Sequence, residues 1–201
     1  SSLMQKILGA DWEKLPASLK AHYQSGPNVD SGHLDIEFPR WMTPYLRVLQ
    51  VFGALLARSG KQLPTRVHKN VRADCHYWRR TMSFPDGRQV CFNSVWVAAG
   101  GTRLIDYVNP VMGLEMRAFV KGEELHYAGV RYVLNFGWFR LGLPEWLILG
   151  HTTIVERALS PNAFAMDFRL THPCFGQVFR YSGTFVTERV DVQGRSTCGC
   201  S

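Results

Sequence analysis

Apolar residues at the start of the chain recur at helical intervals. Leu3, Ile7, Leu8, Trp12, Leu15 and Leu19 share one face, and Pro16 divides the run into two short helices. The period then drops to two. From His33 to Phe38, Leu34, Ile36 and Phe38 fall on one face and His33, Asp35 and Glu37 on the other, which predicts a first strand. Trp41 to Arg58 returns to the helical period, with Trp41, Tyr45, Val48, Leu49, Phe52, Leu55 and Leu56 opposite Arg47 and Gln50. This predicts one long helix ending near Gly60, whose ordinary use is to cover a sheet. Arg40, Arg47, Arg58 and Lys61 flank the same face, a pattern that also suits a membrane interface.

From Leu63 onward, turn signals punctuate β-branched and aromatic runs: Pro85-Asp86-Gly87, Gly100-Gly101, Asn109-Pro110, Lys121-Gly122, Pro161-Asn162 and Gly176. Strands are predicted near 64–71, 74–84, 88–98, 102–108, 112–120, 124–137, 151–159, 163–171 and 177–190. Pro144 opens a short apolar helix through Leu149 that can lid one end of the sheet. The expected fold is α+β, mainly antiparallel: a curled meander, half-barrel or barrel, with N-terminal helices and one long covering helix. Residues 1–190 form a single domain, and the polar, Gly-rich 191–201 a flexible tail.

Composition adds a partner class. Hydrophobic residues make up 46% and charged residues 19%, a globular balance, and the net charge is +7. The arginines are scattered singly along the strands, which favours a small anionic partner over nucleic acid. The five cysteines are odd in number and irregular in spacing, so a reducing cytoplasm with at least one free thiol is expected. No leader-like or membrane-spanning apolar run is present, so the expectation is a soluble cytoplasmic chain able to touch a membrane.

Several short motifs are spread along the chain: Leu8-Gly9-Ala10-Asp11-Trp12 with Leu15-Pro16 and His22, Trp78-Arg79-Arg80, Gly113-Leu114-Glu115-Met116, Leu141 to Leu147, and His172-Pro173-Cys174-Phe175-Gly176 leading to Arg180-Tyr181-Ser182-Gly183. Over residues 7–187 they resemble the bacterial family known as domain of unknown function 4166. That family often lies C-terminal to a saccharopine-dehydrogenase-like reductase domain. The resemblance implies no activity, only a reductase acting as partner in trans, since no Gly-rich phosphate loop is present here.

The candidate ligand-binding residues are Trp78, Arg80, Arg117, Tyr132, Trp138, Phe168, Arg180 and Tyr181, aromatics and arginines on predicted strands. Strand alternation puts Trp78 and Arg80 on one face and Arg79 on the other, so a concave face there would set a guanidinium beside an apolar pocket. Arg180 and Ser182 likewise share a face. For most of these side chains the plain alternative is core packing or a solvated wall. His68 with His76, His172 with Cys174, and Cys198 with Cys200 do not match metal-site spacing. Cys174 with His172 or His151 and Glu156 makes a nucleophile set by residue type alone, and Ser182 lacks the nucleophile-elbow glycines. No motif calls for a cofactor.

Three functional readings follow. The first is a module binding an apolar, anionic small molecule or lipid inside the curled sheet. The second is an enzyme, a cyclase, isomerase or hydrolase, using the same pocket. The third is a docking partner of a reductase or membrane protein, through Trp41–Leu56 or Pro144–Leu149. A binding module needs an aromatic cavity with few titratable groups, an enzyme needs convergent groups of perturbed acidity, and a docking protein exposes an apolar patch.

Overall fold

The computed structural model describes residues 2–51, 57–72 and 74–189. Two short helices open the chain. Ser2 caps α1 (Leu3–Leu8) in a reciprocal capping box with Gln5. A 3-10 turn over Gly9–Lys14 follows, and Pro16 starts α2 (Ala17–Tyr23), as the proline break predicts. The strands are β1 (Asn28–Glu37), β2 (Gly60–Arg72), β3 (Cys75–Ser83), β4 (Gln89–Gly100), β5 (Arg103–Tyr107), β6 (Met112–Lys121), β7 (Glu124–Asn135), β8 (Arg140–Leu143), β9 (His151–Ser160), β10 (Ala163–His172) and β11 (Gly176–Arg189). Between them lie α3 (Thr43–Val51) and α4 (Glu145–Ile148).

β1 to β7 pair in sequence order, β7 passes over the β8 hairpin to pair with β9, and β10 and β11 continue the meander. β11 then closes on β1, from Asn28 opposite Arg189 to Glu37 opposite Arg180. The result is a closed barrel of ten strands with β8 as a flap on β7, not a half-barrel. Closure leaves no edge along the ring, which an open curled sheet must otherwise protect.

Alternation sorts the wall. His76, Trp78, Arg80 and Met82 of β3 face inward, as do Phe164, Met166, Phe168 and Leu170 of β10, and all but Arg80 and Met166 are buried. Outward positions carry Arg66, Arg117, Arg157 and Arg169, the reverse of a barrel whose wall faces lipid. No helix among the described residues is long and apolar enough to cross a membrane.

The two ends are closed differently. α1, the 3-10 turn and α2 plug one end, burying Leu3, Met4, Ile7, Trp12 and Leu19. The other end is covered by α3, which buries Leu46 and Leu49, and by α4, with the Tyr45 hydroxyl donating to the Ile148 carbonyl at 3.0 Å. The expected long helix is corrected to Thr43–Val51 preceded by a 3-10 turn at Arg40–Met42. Ala57 and Arg58 are not helical, and Arg58 instead pairs with Asp86 and stacks on Phe84. Phe52, Leu55 and Leu56 lie outside the described residues, as do 191–201 with Cys198 and Cys200. Cys75 and Cys174 are free thiols.

Candidate functional site

The barrel interior holds two adjoining chambers of about 70 Å³ each. Asp106, Leu114, Phe168 and Tyr181 form walls of both. The first lies toward the helical plug and is lined by His22, Asp30, Trp78, Arg80, Trp96 and Glu156, among others. The second lies under the lid, between Leu49, Ile148 and Leu149 and the inner faces of Phe92 and Tyr132.

Arg80 is the positive centre of the first chamber. Its Nη1 donates to Ser94 Oγ at 2.9 Å, and the guanidinium sits 5.9 Å from the Trp78 ring and 5.5 Å from the Phe92 ring. Arg80 makes no ion pair among the described residues. Burial raises the Asp106 carboxyl above its ordinary range, against the pull of Arg80, Ser94 and Trp96. Burial likewise pushes the Tyr181 hydroxyl up to about 12, opposed by Arg80 and reinforced by Asp106 and Glu156. The indole N–H of Trp78 is buried without a hydrogen-bond partner, while Trp96 and Ser94 act on the Asp106 carboxyl as hydrogen-bond donors. A free donor beside a guanidinium is what a carboxylate or phosphate oxygen satisfies.

A polar cluster forms the chamber's floor. α2 ends with His22 and Tyr23, and its C-terminal carbonyls are held by Lys69, whose Nζ donates to the carbonyls of His22 (2.6 Å) and Gln24 (2.7 Å). Asn28 Nδ2 adds a second bond to the His22 carbonyl at 2.8 Å. So fixed, the His22 ring packs against Trp78 at 5.1 Å and Phe164 at 4.5 Å, with Nδ1 2.8 Å from Oδ2 of Asp30. Asp30 Oδ1 accepts from the Thr187 hydroxyl at 2.6 Å. The Tyr23 hydroxyl reaches both Glu156 oxygens at 2.8 Å. Burial raises the Glu156 carboxyl to about 7, while His22 and Tyr23 draw it down. Lys69 is lowered to about 8 by burial, opposed by Asp30.

Of the residues singled out from sequence, Trp78, Arg80, Phe168 and Tyr181 line the first chamber and Tyr132 lines the second. The face shared by Trp78 and Arg80 is the inner one. The other three do not join them. Arg117 stands on the outer wall over Phe119 at 5.6 Å, because its place in β6 alternates with buried Met116 and Ala118. Trp138 sits on the tip of the β7–β8 hairpin and is 88% exposed. Arg180 also faces outward, bound to Asp167 at 2.9 Å and to Glu37 at 3.5 Å.

The nucleophile set does not assemble. Cys174 is exposed on the β10–β11 turn, its backbone N–H donating to His172, whereas Glu156 lies inside the barrel. His68 and His76 point to opposite faces of the wall. Glu156 enters the sequence reading only as a member of that nucleophile set and His22 only among the family motifs, and Asp30, Lys69 and Asp106 are not candidates there. The signal that reveals them is a polar residue at an inward step of an otherwise apolar alternation: Asp30 with Leu34 and Ile36, Glu156 with Ile154, Asp106 with Leu104.

The geometry defines a closed, helix-capped antiparallel β-barrel with a charged cluster in its core. The chain belongs to the family described as domain of unknown function (DUF4166), whose sequence model matches residues 15–185. No curated protein and no solved structure matches the chain.

Proposed function

We propose that the barrel binds a compact anionic molecule with an apolar body inside its first chamber. The observation that carries this reading is Arg80, an inward cation with no ion-pair partner among the described residues, set beside the Trp78 indole N–H, a buried donor that lacks an acceptor. Aromatic and aliphatic walls supply the apolar contact, and the guanidinium fixes the anionic end. Chambers of about 70 Å³ favour a short or branched acid over a long acyl chain, which needs the lid to part. The test is a thermal-shift panel of small aromatic and branched carboxylates against the matching amines. Carboxylates are expected to raise the midpoint of the wild type and not of Arg80→Met. Equal shifts in both proteins argue against the reading.

A second reading, an enzyme using the same chamber, is favoured by one specific observation. The His22–Asp30 pair and Glu156 both face the chamber, where burial raises the Glu156 carboxyl to about 7. Two groups that can take and return a proton in an enclosed, aromatic-walled site suit an isomerisation through proton transfer at carbon next to the bound acid group. A panel of such acids in deuterated water tests it: exchange at that carbon by the wild type, lost in His22→Gln or Glu156→Gln, supports the enzyme. Bound acids that show no exchange leave a binding module.

A further inference from the structure

The exposed large apolar side chains of this barrel are gathered at one end. Among the described residues only Tyr77, Val130, Leu159 and Val186 of this kind lie elsewhere. The rest surround the lid: Trp41 (55% exposed) before α3, Trp138 (88%) on the β7–β8 hairpin, Trp146 (58%) on α4 and Phe175 (63%) on the β10–β11 turn. These pieces are tied together. Trp41 packs on Phe175 at 5.4 Å and His172 Nε2 lies 2.9 Å from the Trp146 carbonyl, which joins the segment before α3, the β10–β11 turn and α4, while Trp138 packs on Phe139 within its own hairpin at 4.5 Å.

The unpaired charge at this end is mainly positive. Arg40, Arg47 and Arg140 are exposed and make no ion pair among the described residues. Of the acids nearby, Glu37 is matched by Arg180 and Asp86 by Arg58, and Asp35 accepts from the Gln62 backbone N–H. Tryptophans on projecting tips among unpaired arginines match the chemistry of an anionic bilayer, where indoles seat at the headgroup level and guanidiniums meet phosphates. We infer that the lid end of the barrel docks on an anionic membrane surface through Trp41, Trp138, Trp146 and Phe175, with Arg40, Arg47 and Arg140 as the electrostatic ring. Leu49, Ile148 and Leu149 of the same lid line the second chamber, so the docked face lies over that chamber.

The test is co-sedimentation with vesicles of phosphatidylcholine alone and of phosphatidylcholine mixed with phosphatidylglycerol. Partition into the mixed vesicles is expected, falling as salt rises. Replacing Arg40, Arg47 and Arg140 by Glu should weaken it by at least about fivefold per position. Trp138→Ala with Trp146→Ala should weaken it at least about tenfold. Both sets are exposed, and unchanged circular dichroism confirms that they fold. Leu159→Ala with Val186→Ala, away from the lid, should leave binding intact. Failure to partition into mixed vesicles overturns the inference and gives the face to a protein partner. Binding that ignores the lid substitutions, or falls equally with the Leu159 and Val186 pair, also overturns it. None of these outcomes depends on what the interior binds.

Discussion

Nδ1 of His22 and Oδ2 of Asp30 meet 2.8 Å apart inside the barrel, brought together by the end of α2 and the start of β1. Asp30 is fully buried and its other oxygen is taken by Thr187, so the carboxylate has no route to water. Asp30→Asn is expected to cost about 1–3 kcal/mol, because it removes charge from a buried contact and weakens the Thr187 bond. Urea unfolding measures the loss, and a change below about 0.5 kcal/mol contradicts the pairing.

Glu156 links the same cluster to pH. Its carboxyl is raised to about 7 by burial, so between the ordinary carboxyl value of 4.5 and about 7 the folded chain holds a proton that the unfolded chain has released. Its contribution is therefore complete below 4.5 and is lost as pH rises to about 7. Glu156→Gln removes this loss. Its stability relative to wild type should increase by on the order of 3 kcal/mol from pH 4.5 to 7.5. A difference that stays flat over that interval contradicts the raised acidity.

His76 has the opposite sign. Burial, with Lys69 and His22, lowers it to about 3, and its Nε2 accepts the Leu3 N–H at 3.4 Å, which requires the neutral ring. The unfolded chain takes up a proton below 6.5 that the folded chain refuses, so stability is lost as pH falls from 6.5. His76→Gln is expected to flatten the acid limb of the stability curve. Thermal midpoints at stepped pH check it, and an acid limb as steep as wild type contradicts it.

The strand order and nearly every strand boundary were legible because the wall alternates so regularly. β8 is not legible because the predicted strand 124–137 runs into Gly137-Trp138-Phe139 without the Asn-Gly or Asp-Gly signal that marks a hairpin tip. Barrel closure was not legible, since the β11–β1 pairing joins residues at opposite ends of the sequence and leaves no local mark. The long helix was overestimated for a physical reason. Apolar periodicity continues past Val51, but Arg58 is held by Asp86 and Phe84 on the β3–β4 turn, which keeps it out of any helix. The site was half legible. Trp78 and Arg80 could be paired by alternation, whereas starting the first strand at His33 hid Asp30 on an inward step.

One glycine carries the tether of the lid. A Cβ at Gly129 would collide with the Glu145 carboxylate, which accepts the Thr152 N–H at 3.0 Å and lies 2.7 Å from His151 Nδ1. Gly129→Ala is expected to displace that carboxylate and loosen α4, at a cost of about 1–3 kcal/mol. Hydrogen exchange should accelerate at residues 145–150 while the plug helices stay protected. Uniform protection contradicts this role.

The central claim is that Arg80 holds an anionic ligand inside the barrel. Native mass spectrometry of gently purified wild type and Arg80→Met, with organic extraction of anything released, tests it most directly. The account predicts a stoichiometric small acid on the wild type that Arg80→Met has lost. A bare wild-type chain that also takes up none of the carboxylates added at saturating concentration, or an adduct retained equally by both proteins, would contradict it.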